Sequence, residues 1–146
     1  MIYGSGIDLV SIERIKKIYH QFPDKFVKKI FTNQEIATFR QNNHYKAESF
    51  TNFLAKRFAA KEATAKAFGT GIGNYFSFLD FEILKNQFSK PMLVVNHRKL
   101  TNFLKQEPEI AKLSLSPSNF RFHVSISDET KGKDAFAIAI VIIEII

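Results

Sequence analysis

Three charged residues in one short stretch have the side chains that phosphate and metal chemistry requires. Lys61, Glu62 and Lys66 lie in the segment FLAKRFAAKEATAKAFGTGIGN, which runs from residue 53 to residue 74. Glu62 precedes Lys66 by four residues, which is also the favourable order for an ordinary exposed helix pair. The surrounding side chains are unusually short, and they belong to Ala59, Ala60, Ala63, Ala65 and Ala67. An acid flanked by bases and alanines is suited to a site that a divalent cation and a phosphate share.

A second acid, Asp8, lies in the apolar segment GIDLV near the end of a predicted first strand. It could cap the helix that follows, but Ser11 is better placed to do so. An acid in apolar surroundings is often held by a cation or a metal ion. The spacing alone does not show that Asp8 meets Glu62.

The glycines of the segment GTGIG, at positions 69, 71 and 73, follow a helix rather than a strand. This order excludes the dinucleotide fingerprint, which needs a strand before the glycines and a helix after them. One glycine would suffice for a helix C-cap. Three glycines indicate a tight turn in which the backbone comes close to a ligand.

Other common kinds of site are absent from the sequence. The chain has no cysteine, so it can form neither a disulfide nor a thiolate metal site. His123 lies in HVSISDE without the spacing of a zinc motif, and a lone histidine is more often structural than catalytic. The longest apolar run, Ala135 to Ile143, has nine residues, whereas a membrane-spanning helix needs about 20. With no recognisable signal peptide, we expect a cytoplasmic protein that forms a single domain over residues 1–146.

The formal net charge of +7 is spread along the chain and favours an acidic partner, a phosphorylated ligand or both. A lysine-rich surface with no specific partner is the simpler interpretation for any one lysine. A small RNA-binding protein is an alternative, because bases could stack on a basic surface that carries some of the 16 phenylalanines.

Helices are predicted mainly in the first half of the chain. A strand in IYGSGIDLV ends near Asp8, and Ser11 then caps a helix from Ile12 to Gln21. PDKFVKKIF predicts a second helix, and TNQEIATFRQNN predicts a third, with a capping box formed by Thr32 and Glu35. A long fourth helix is predicted from Ala47 to Phe68, with Gly69 in a left-handed cap.

Strands are predicted mainly in the second half. SFLDFEIL and PMLVVN form a hairpin with a turn between residues 86 and 90, and HRKLTNFLKQ returns to helical spacing. FRFHVSIS alternates apolar and polar residues, so its phenylalanines face the core. AFAIAIVIIEI is apolar on both faces and must be covered on both, either by helices of the same chain or by a neighbouring subunit. The fold class is therefore α+β with a mostly antiparallel sheet.

Four segments in this order, GIDLV, FLAKRFAAKEATAKAFGTGIG, KPML and HVSISDE, resemble the holo-acyl-carrier-protein synthase group of 4′-phosphopantetheinyl transferases. The resemblance runs nearly from end to end and implies the 4′-phosphopantetheinyl transferase fold. It implies an enzyme of fatty acid biosynthesis that moves the 4′-phosphopantetheine group of coenzyme A to a serine of apo acyl carrier protein. The second product would be adenosine 3′,5′-bisphosphate.

The resemblance also assigns roles to residues. Asp8 and Glu62 would hold Mg²⁺, and with Lys66 they would form the catalytic set. The coenzyme A site would be lined by two bases near the phosphates, a loop at the nucleotide and three residues farther along the chain: Lys61, Lys66, Gly69, Thr70, Gly71, Lys90, Pro91 and His123. The alanines of the long helix would let coenzyme A approach closely. The general base is left open between Glu62 and a metal-bound water.

The implied protein partner is the small, acidic acyl carrier protein. Arg14 matches a family position on the helix that docks the carrier. The other bases of the first two helices are assigned to docking on charge alone: Lys16, Lys17, Lys25, Lys28 and Lys29. Family members form compact trimers with active sites between subunits, so we expect a homotrimer, and we expect neither nucleic acid nor a membrane as a partner.

Overall fold

Helices dominate the first half of the fold. The computed structural model describes residues 1–41 and 49–146. In the first half the helices are α1 (Ile12–Gln21), α2 (Pro23–Ile30), α3 (Asn33–Gln41) and α4 (Phe50–Phe68). The predicted start of the fourth helix at Ala47 lies outside the described residues. The described helix begins at Phe50, where the Ser49 side chain accepts a hydrogen bond from Asn52 N at 3.2 Å.

The predicted helix caps are confirmed. Ser11 accepts a hydrogen bond from Arg14 N at 3.2 Å at the start of α1. Thr32 N donates to Glu35 Oε2 at 2.9 Å, and Glu35 N donates back to Thr32 Oγ1 at 3.3 Å. These bonds satisfy backbone N–H groups that have no partner within a helix, which is why such residues mark helix starts.

Five strands form two antiparallel sheets. They are β1 (Ile2–Ser11), β2 (Phe81–Lys85), β3 (Pro91–Val95), β4 (Phe120–Glu129) and β5 (Phe136–Ile145). One sheet has the order β1-β5-β4, and the other is the predicted β2-β3 hairpin. Two helices, α5 (His97–Gln106) and α6 (Pro108–Ala111), lie between β3 and β4. The α+β fold class with antiparallel sheets is confirmed.

The first strand is longer than predicted. It continues past Asp8 to Ser11, because β5 pairs with it as far as Ser11↔Phe136 and Ile12 N donates to Ala135 O at 3.0 Å. The sequence signal for a strand end was the acid itself. Pairing with β5 outweighs that local preference, since each further residue gains ladder hydrogen bonds.

Helix α4 packs against β1 so closely that β1 has no room for side chains at two positions. A Cβ atom on Gly6 would overlap Ala63 O and lie 2.6 Å from Ala67 N, and one on Gly4 would overlap Ala67 O. Ala63 is wholly buried and Ala67 is 4% exposed. The expectation that the alanines make room for coenzyme A is therefore wrong for these two, because the space beside them is filled by β1.

The two faces of β5 differ in burial. Its small residues Ala137 and Ala139 are 0% and 1% exposed, on the side that α4 covers. The opposite side of the sheet, here called the outer face, carries Ile7 and Leu9 of β1 and Phe136, Ile138, Ile140 and Ile142 of β5. Ile7 is 55% exposed, Leu9 62% and Ile140 43%. Within residues 1–41 and 49–146, other parts of the chain cover one of the two apolar faces and leave the outer face exposed.

The inner, helix-facing side of β4 contributes its aromatic residues to the core. Phe120 is 7% exposed, and Phe122 packs with its ring centroid 6.1 Å from that of Phe68. Phe68 in turn contacts Phe76 and Phe103, with centroid distances of 4.8 and 5.4 Å. Because these rings are in the core, they are not available to stack on bases, which counts against the RNA-binding alternative.

Candidate active site

Asp8 and Lys66 meet where β1 crosses α4. Lys66 Nζ lies 2.9 Å from Asp8 Oδ1 and donates to Ile7 O at 3.0 Å. The side chain of Asp8 is 15% exposed and that of Lys66 is 52% exposed. Asp8 faces the helix because it follows Gly4 and Gly6 on the same side of the strand. The absence of side chains at those two positions allows the carboxylate to reach α4.

Glu62 belongs to the same cluster. Burial raises the pKa of Glu62 above its ordinary value, and the nearby charge of Asp8 raises the pKa further, while Lys66 acts in the opposite direction. Two carboxylates that repel one another beside a single ammonium group form a site with spare negative charge. Asp8, Glu62 and Lys66 are here called the acidic cluster.

The glycine loop wraps the end of α4. Gly69 has φ of 75° and donates its N–H to Lys66 O at 2.9 Å, which confirms the left-handed cap. Gly71 has φ of 63°, and Thr70 N donates to Ala65 O at 3.1 Å. Apart from the two chain neighbours, no atom of the described residues lies within 4 Å of a Cβ built on Gly69 or Gly71. Left-handed backbone, rather than crowding within the chain, therefore accounts for glycine at both positions.

Lys61 is not part of this cluster. Its side chain is wholly buried, and Nζ donates to Glu35 Oε2 at 2.7 Å, Ile30 O at 2.5 Å and Phe78 O at 3.1 Å. Burial lowers the pKa of Lys61, while Glu35 opposes that shift. The prediction that Lys61 lies near the phosphates of coenzyme A is therefore corrected, because an ammonium group with three internal acceptors and no exposure cannot reach a ligand.

Lys90, Pro91 and His123 line one cleft of about 420 Å³ between the β2-β3 hairpin and the outer face. Asn86 forms part of the rim, and Asn86 Oδ1 accepts hydrogen bonds from Phe88 N and Lys90 N at 2.9 and 3.0 Å. Ile140 and Ile142 form part of the apolar wall. The cleft combines an apolar wall with two basic side chains, which suits a nucleotide or another phosphorylated ligand.

The acidic cluster and the cleft lie on opposite sides of the same sheet. Asp8 is paired with Ala139, on the side that α4 covers. His123 is paired with Ile142, on the outer face. Since neighbouring residues of a strand point to opposite sides, one chain does not bring the two groups of predicted residues together.

The bases predicted to dock a partner are all exposed on α1 and α2: Arg14, Lys16, Lys17, Lys25, Lys28 and Lys29. Phe22, in the connection between these helices, is 50% exposed. The surface therefore combines positive charge with one large exposed apolar side chain, and the charge is complementary to an acidic protein.

The described part of the chain has neither a clustered metal site of side chains nor a membrane-spanning helix. Among residues 1–41 and 49–146, no group of three or more histidine, cysteine, aspartate or glutamate side chains is gathered to hold a metal ion. No helix in these two ranges is both long and apolar enough to cross a lipid bilayer.

Two acids that matter were not identified from the sequence. Glu35 was recognised only as a capping-box residue, although it also neutralises Lys61 and accepts from Ile83 N at 3.0 Å. Glu144 was not singled out, although Glu144 Oε2 lies 2.9 Å from His123 Nε2. The signal for Glu144 was available, because it is the one acid in an otherwise apolar last strand.

Comparison with known proteins shows which family the chain resembles over nearly its whole length. Residues 4–140 match the family model of the 4′-phosphopantetheinyl transferase superfamily. A holo-[acyl-carrier-protein] synthase from Blochmanniella floridana is 42% identical over 145 residues, which are 99% of each chain. The Wigglesworthia glossinidia brevipalpis protein of the same name is 40% identical over 143 residues, or 98% of this chain and 92% of that one.

Solved structures give the same result. A holo-(acyl-carrier-protein) synthase from Bacillus anthracis in complex with CoA (3′,5′-ADP) has a TM-score of 0.70 at 34% identity, covering 100% of this chain and 99% of that one. The Helicobacter pylori holo-[acyl-carrier-protein] synthase in complex with coenzyme A has a TM-score of 0.69 at 30% identity, covering 96% and 99%.

Proposed function

The chain belongs to the 4′-phosphopantetheinyl transferase superfamily, and we propose that it transfers 4′-phosphopantetheine from coenzyme A to a serine of apo acyl carrier protein. The products would be holo acyl carrier protein and adenosine 3′,5′-bisphosphate. The observation that carries the proposal is the acidic cluster, in which Asp8 and Glu62 lie beside Lys66. We also propose that the reaction serves fatty acid biosynthesis in the cytoplasm, as the sequence resemblance implies.

The donor set of the acidic cluster fits Mg²⁺. Magnesium prefers oxygen ligands and typically takes one or two carboxylates together with substrate phosphates, so a third protein carboxylate is not required. In the structure, the Lys66 ammonium group lies between Asp8 Oδ1 and Ile7 O, which marks a place where a cation is stabilised. Asp8 and Glu62 are the residues that would hold the ion. When bound, Mg²⁺ would neutralise charge on the phosphate oxygens of coenzyme A.

The chain's own residues would mainly position and neutralise the reacting groups. Lys66 is half exposed, so its flexible side chain can leave Asp8 and follow a phosphate that enters the cluster. Gly69, Thr70 and Gly71 follow the end of α4, and their N–H groups bond to the carbonyl oxygens of Ala65 and Lys66. Transfer of a phosphoryl group depends mostly on such positioning and electrostatic stabilisation.

We propose that the complete site forms between subunits of a homotrimer. Lys90, Pro91 and His123 face the opposite side of the sheet from Asp8, so both groups can contact one coenzyme A molecule only if a second chain supplies one of them. The exposed outer face supports the proposal, because an apolar surface with Ile7, Leu9 and Ile140 favours association.

We propose that α1 and α2 dock the acidic carrier protein. Arg14, Lys17, Lys25 and Lys28 are exposed, and attraction between opposite charges speeds the encounter of two proteins. The apparent KM for the carrier should therefore rise with ionic strength, while the KM for coenzyme A rises less. This difference separates carrier steering from a general effect of salt on phosphate binding.

Intact-mass spectrometry tests the proposed reaction directly. The purified chain is incubated with an apo acyl carrier protein, coenzyme A and Mg²⁺, and the carrier is expected to gain one phosphopantetheine group. EDTA and Glu62→Ala should abolish the gain, whereas Glu109→Ala, which removes an exposed carboxylate paired with Lys112, should not. If several carriers gain no mass while coenzyme A still binds, the chain is a non-catalytic binder and the transferase proposal is wrong.

A further inference from the structure

His123, at the wall of the cleft, is bonded to an acid that does not itself line the cleft. His123 Nε2 and Glu144 Oε2 are 2.9 Å apart, and the two side chains are 49% and 30% exposed. In the register of β4 and β5, His123 is opposite Ile142 and Glu144 is opposite Arg121. The contact is therefore diagonal across the outer face, a distance that long side chains span.

Glu144 lies near basic groups of β4 and of the chain's N-terminus. Its pKa is lowered chiefly by the hydrogen bond with His123 and then by nearby positive charge, including Arg121 and the Met1 amine, while desolvation acts in the opposite direction. Glu144 is consequently ionised and can only accept a hydrogen bond. Nε2 of His123 must then carry a proton, and Nδ1 is the ring nitrogen left for another partner.

We propose that Glu144 is a positioning residue for coenzyme A binding: it fixes the ring orientation and tautomer of His123 at the wall of the cleft. The inference rests on the proposed function, since it takes coenzyme A to be the ligand of the cleft. Lys90 lines the same cleft, so a His123 ring held in one orientation would face the ligand together with a cation.

An opposing effect makes the proposal testable. Glu144 also places a negative charge near a cleft that is to bind phosphate, and by that effect alone its removal would tighten binding. We expect orientation to outweigh this repulsion, because the positive charges of Arg121 and the N-terminal amine already act on Glu144.

Calorimetric titration of the full chain with coenzyme A measures which effect is larger. His123→Ala is expected to weaken coenzyme A binding about tenfold. Glu144→Ala should weaken it nearly as much, because without the hydrogen bond to Glu144 the His123 ring rarely has the required orientation. Glu144→Gln, which keeps a hydrogen-bond acceptor, should lose roughly threefold. The double variant should bind as His123→Ala does, since a residue that acts through His123 has no effect without it.

Nitrogen NMR of the His123 ring adds a readout that a purely structural role would not change. The wild-type chain should show Nε2 protonated, and Glu144→Ala should show a mixture of tautomers with unchanged melting temperature. Glu109→Ala is the matched control and should alter neither quantity.

Three results would overturn the inference while leaving the proposed function intact. They are equal or tighter coenzyme A binding by Glu144→Ala, additive losses in the double variant, and unchanged binding by His123→Ala with transfer still active. If the wild-type chain itself fails to bind coenzyme A, the proposed function fails first, and the inference fails with it.

Discussion

The ionised carboxylate of Glu62 lowers the stability of the folded chain. Its pKa is raised by burial and by Asp8, so the folded state disfavours ionisation of this group. Below the ordinary pKa of glutamate, about 4.3, the group is protonated in the folded and unfolded states alike, and the shift has no effect on stability. As pH rises through the folded-state pKa, the folded protein loses stability relative to a chain that carries a neutral group at this position.

We therefore expect Glu62→Gln to raise the melting temperature of the metal-free protein at pH 7, by on the order of 2 °C. The difference should disappear below about pH 4. Melting scans from pH 3.5 to pH 8 check this, with Glu109→Gln as a control for an exposed acid. An equal melting temperature of wild type and Glu62→Gln at pH 7 would show that Lys66 fully compensates the charge of Glu62.

Residues differ in how far the sequence alone revealed their roles. The family resemblance implied that Asp8, Glu62 and Lys66 act in one site. Their spacing alone did not show that they meet, because the contact depends on the crossing of β1 and α4. Lys61 was misassigned for a related reason. Its position beside Glu62 in the sequence suggested a shared site, whereas neighbouring residues of a helix point in directions about 100° apart.

Among the elements, α4 is fixed to its surroundings by the buried pair of Lys61 and Glu35. Lys61 Nζ bonds the last residue of α2, Ile30, and the short 3-10 segment at Phe78, while Glu35 belongs to α3. Glu35 Oε1 also accepts from Ile83 N of β2 at 3.0 Å. Five segments of chain therefore meet at two charged side chains that are both 0% exposed.

Lys61→Met should lower the free energy of unfolding by about 3–5 kcal/mol, because it leaves Glu35 buried without a counter-ion. Urea denaturation measures the loss. Lys112→Met removes a pair whose side chains are 68% and 81% exposed, and it should cost less than about 1 kcal/mol. Recovery of part of the stability in Lys61→Met/Glu35→Gln would support the reason given, and a single-variant loss no larger than the control's would contradict it.

Element boundaries followed from local signals wherever such signals exist. Ser11, the pair of Thr32 and Glu35, and Gly69 each marked a helix end correctly, because a cap is a contact between residues close in sequence. The contact of Gly4 and Gly6 with α4 could not be predicted in this way. A glycine can indicate that another part of the chain or a ligand approaches the backbone closely, but the sequence does not identify that group.

At the scale of the whole molecule, the outer face is an exposed apolar surface that association with another chain would bury. Ile140 lies at its centre between Ile7 and Ser125 and is 43% exposed. The sequence predicted that both faces of β5 need covering, and it left open whether helices or another subunit would cover them. In the described part of the chain, α4 covers the face of β5 that carries the alanines, and the outer face stays exposed.

Ile140→Asp should convert the proposed trimer to monomers, because three carboxylates would be buried together at the interface. Sedimentation velocity gives the mass, which is expected to fall to one third of the wild-type value, with loss of transfer activity. Leu113→Asp, at an apolar residue that is 54% exposed elsewhere on the surface, is the matched control and should stay trimeric. A monomeric wild-type chain with full activity would exclude a site shared between subunits.

The placement of Asp8 and His123 on opposite sides of one sheet has a genetic consequence. If each complete site takes Asp8 from one subunit and His123 from the next, a chain carrying Asp8→Ala is inactive alone, and a chain carrying His123→Ala is impaired because it binds coenzyme A weakly. In trimers that mix the two chains, some sites would combine the intact Asp8 of one chain with the intact His123 of the other. Two defective copies of the gene expressed together would then rescue one another, whereas two copies altered on the same side, at Asp8 and at Glu62, would not.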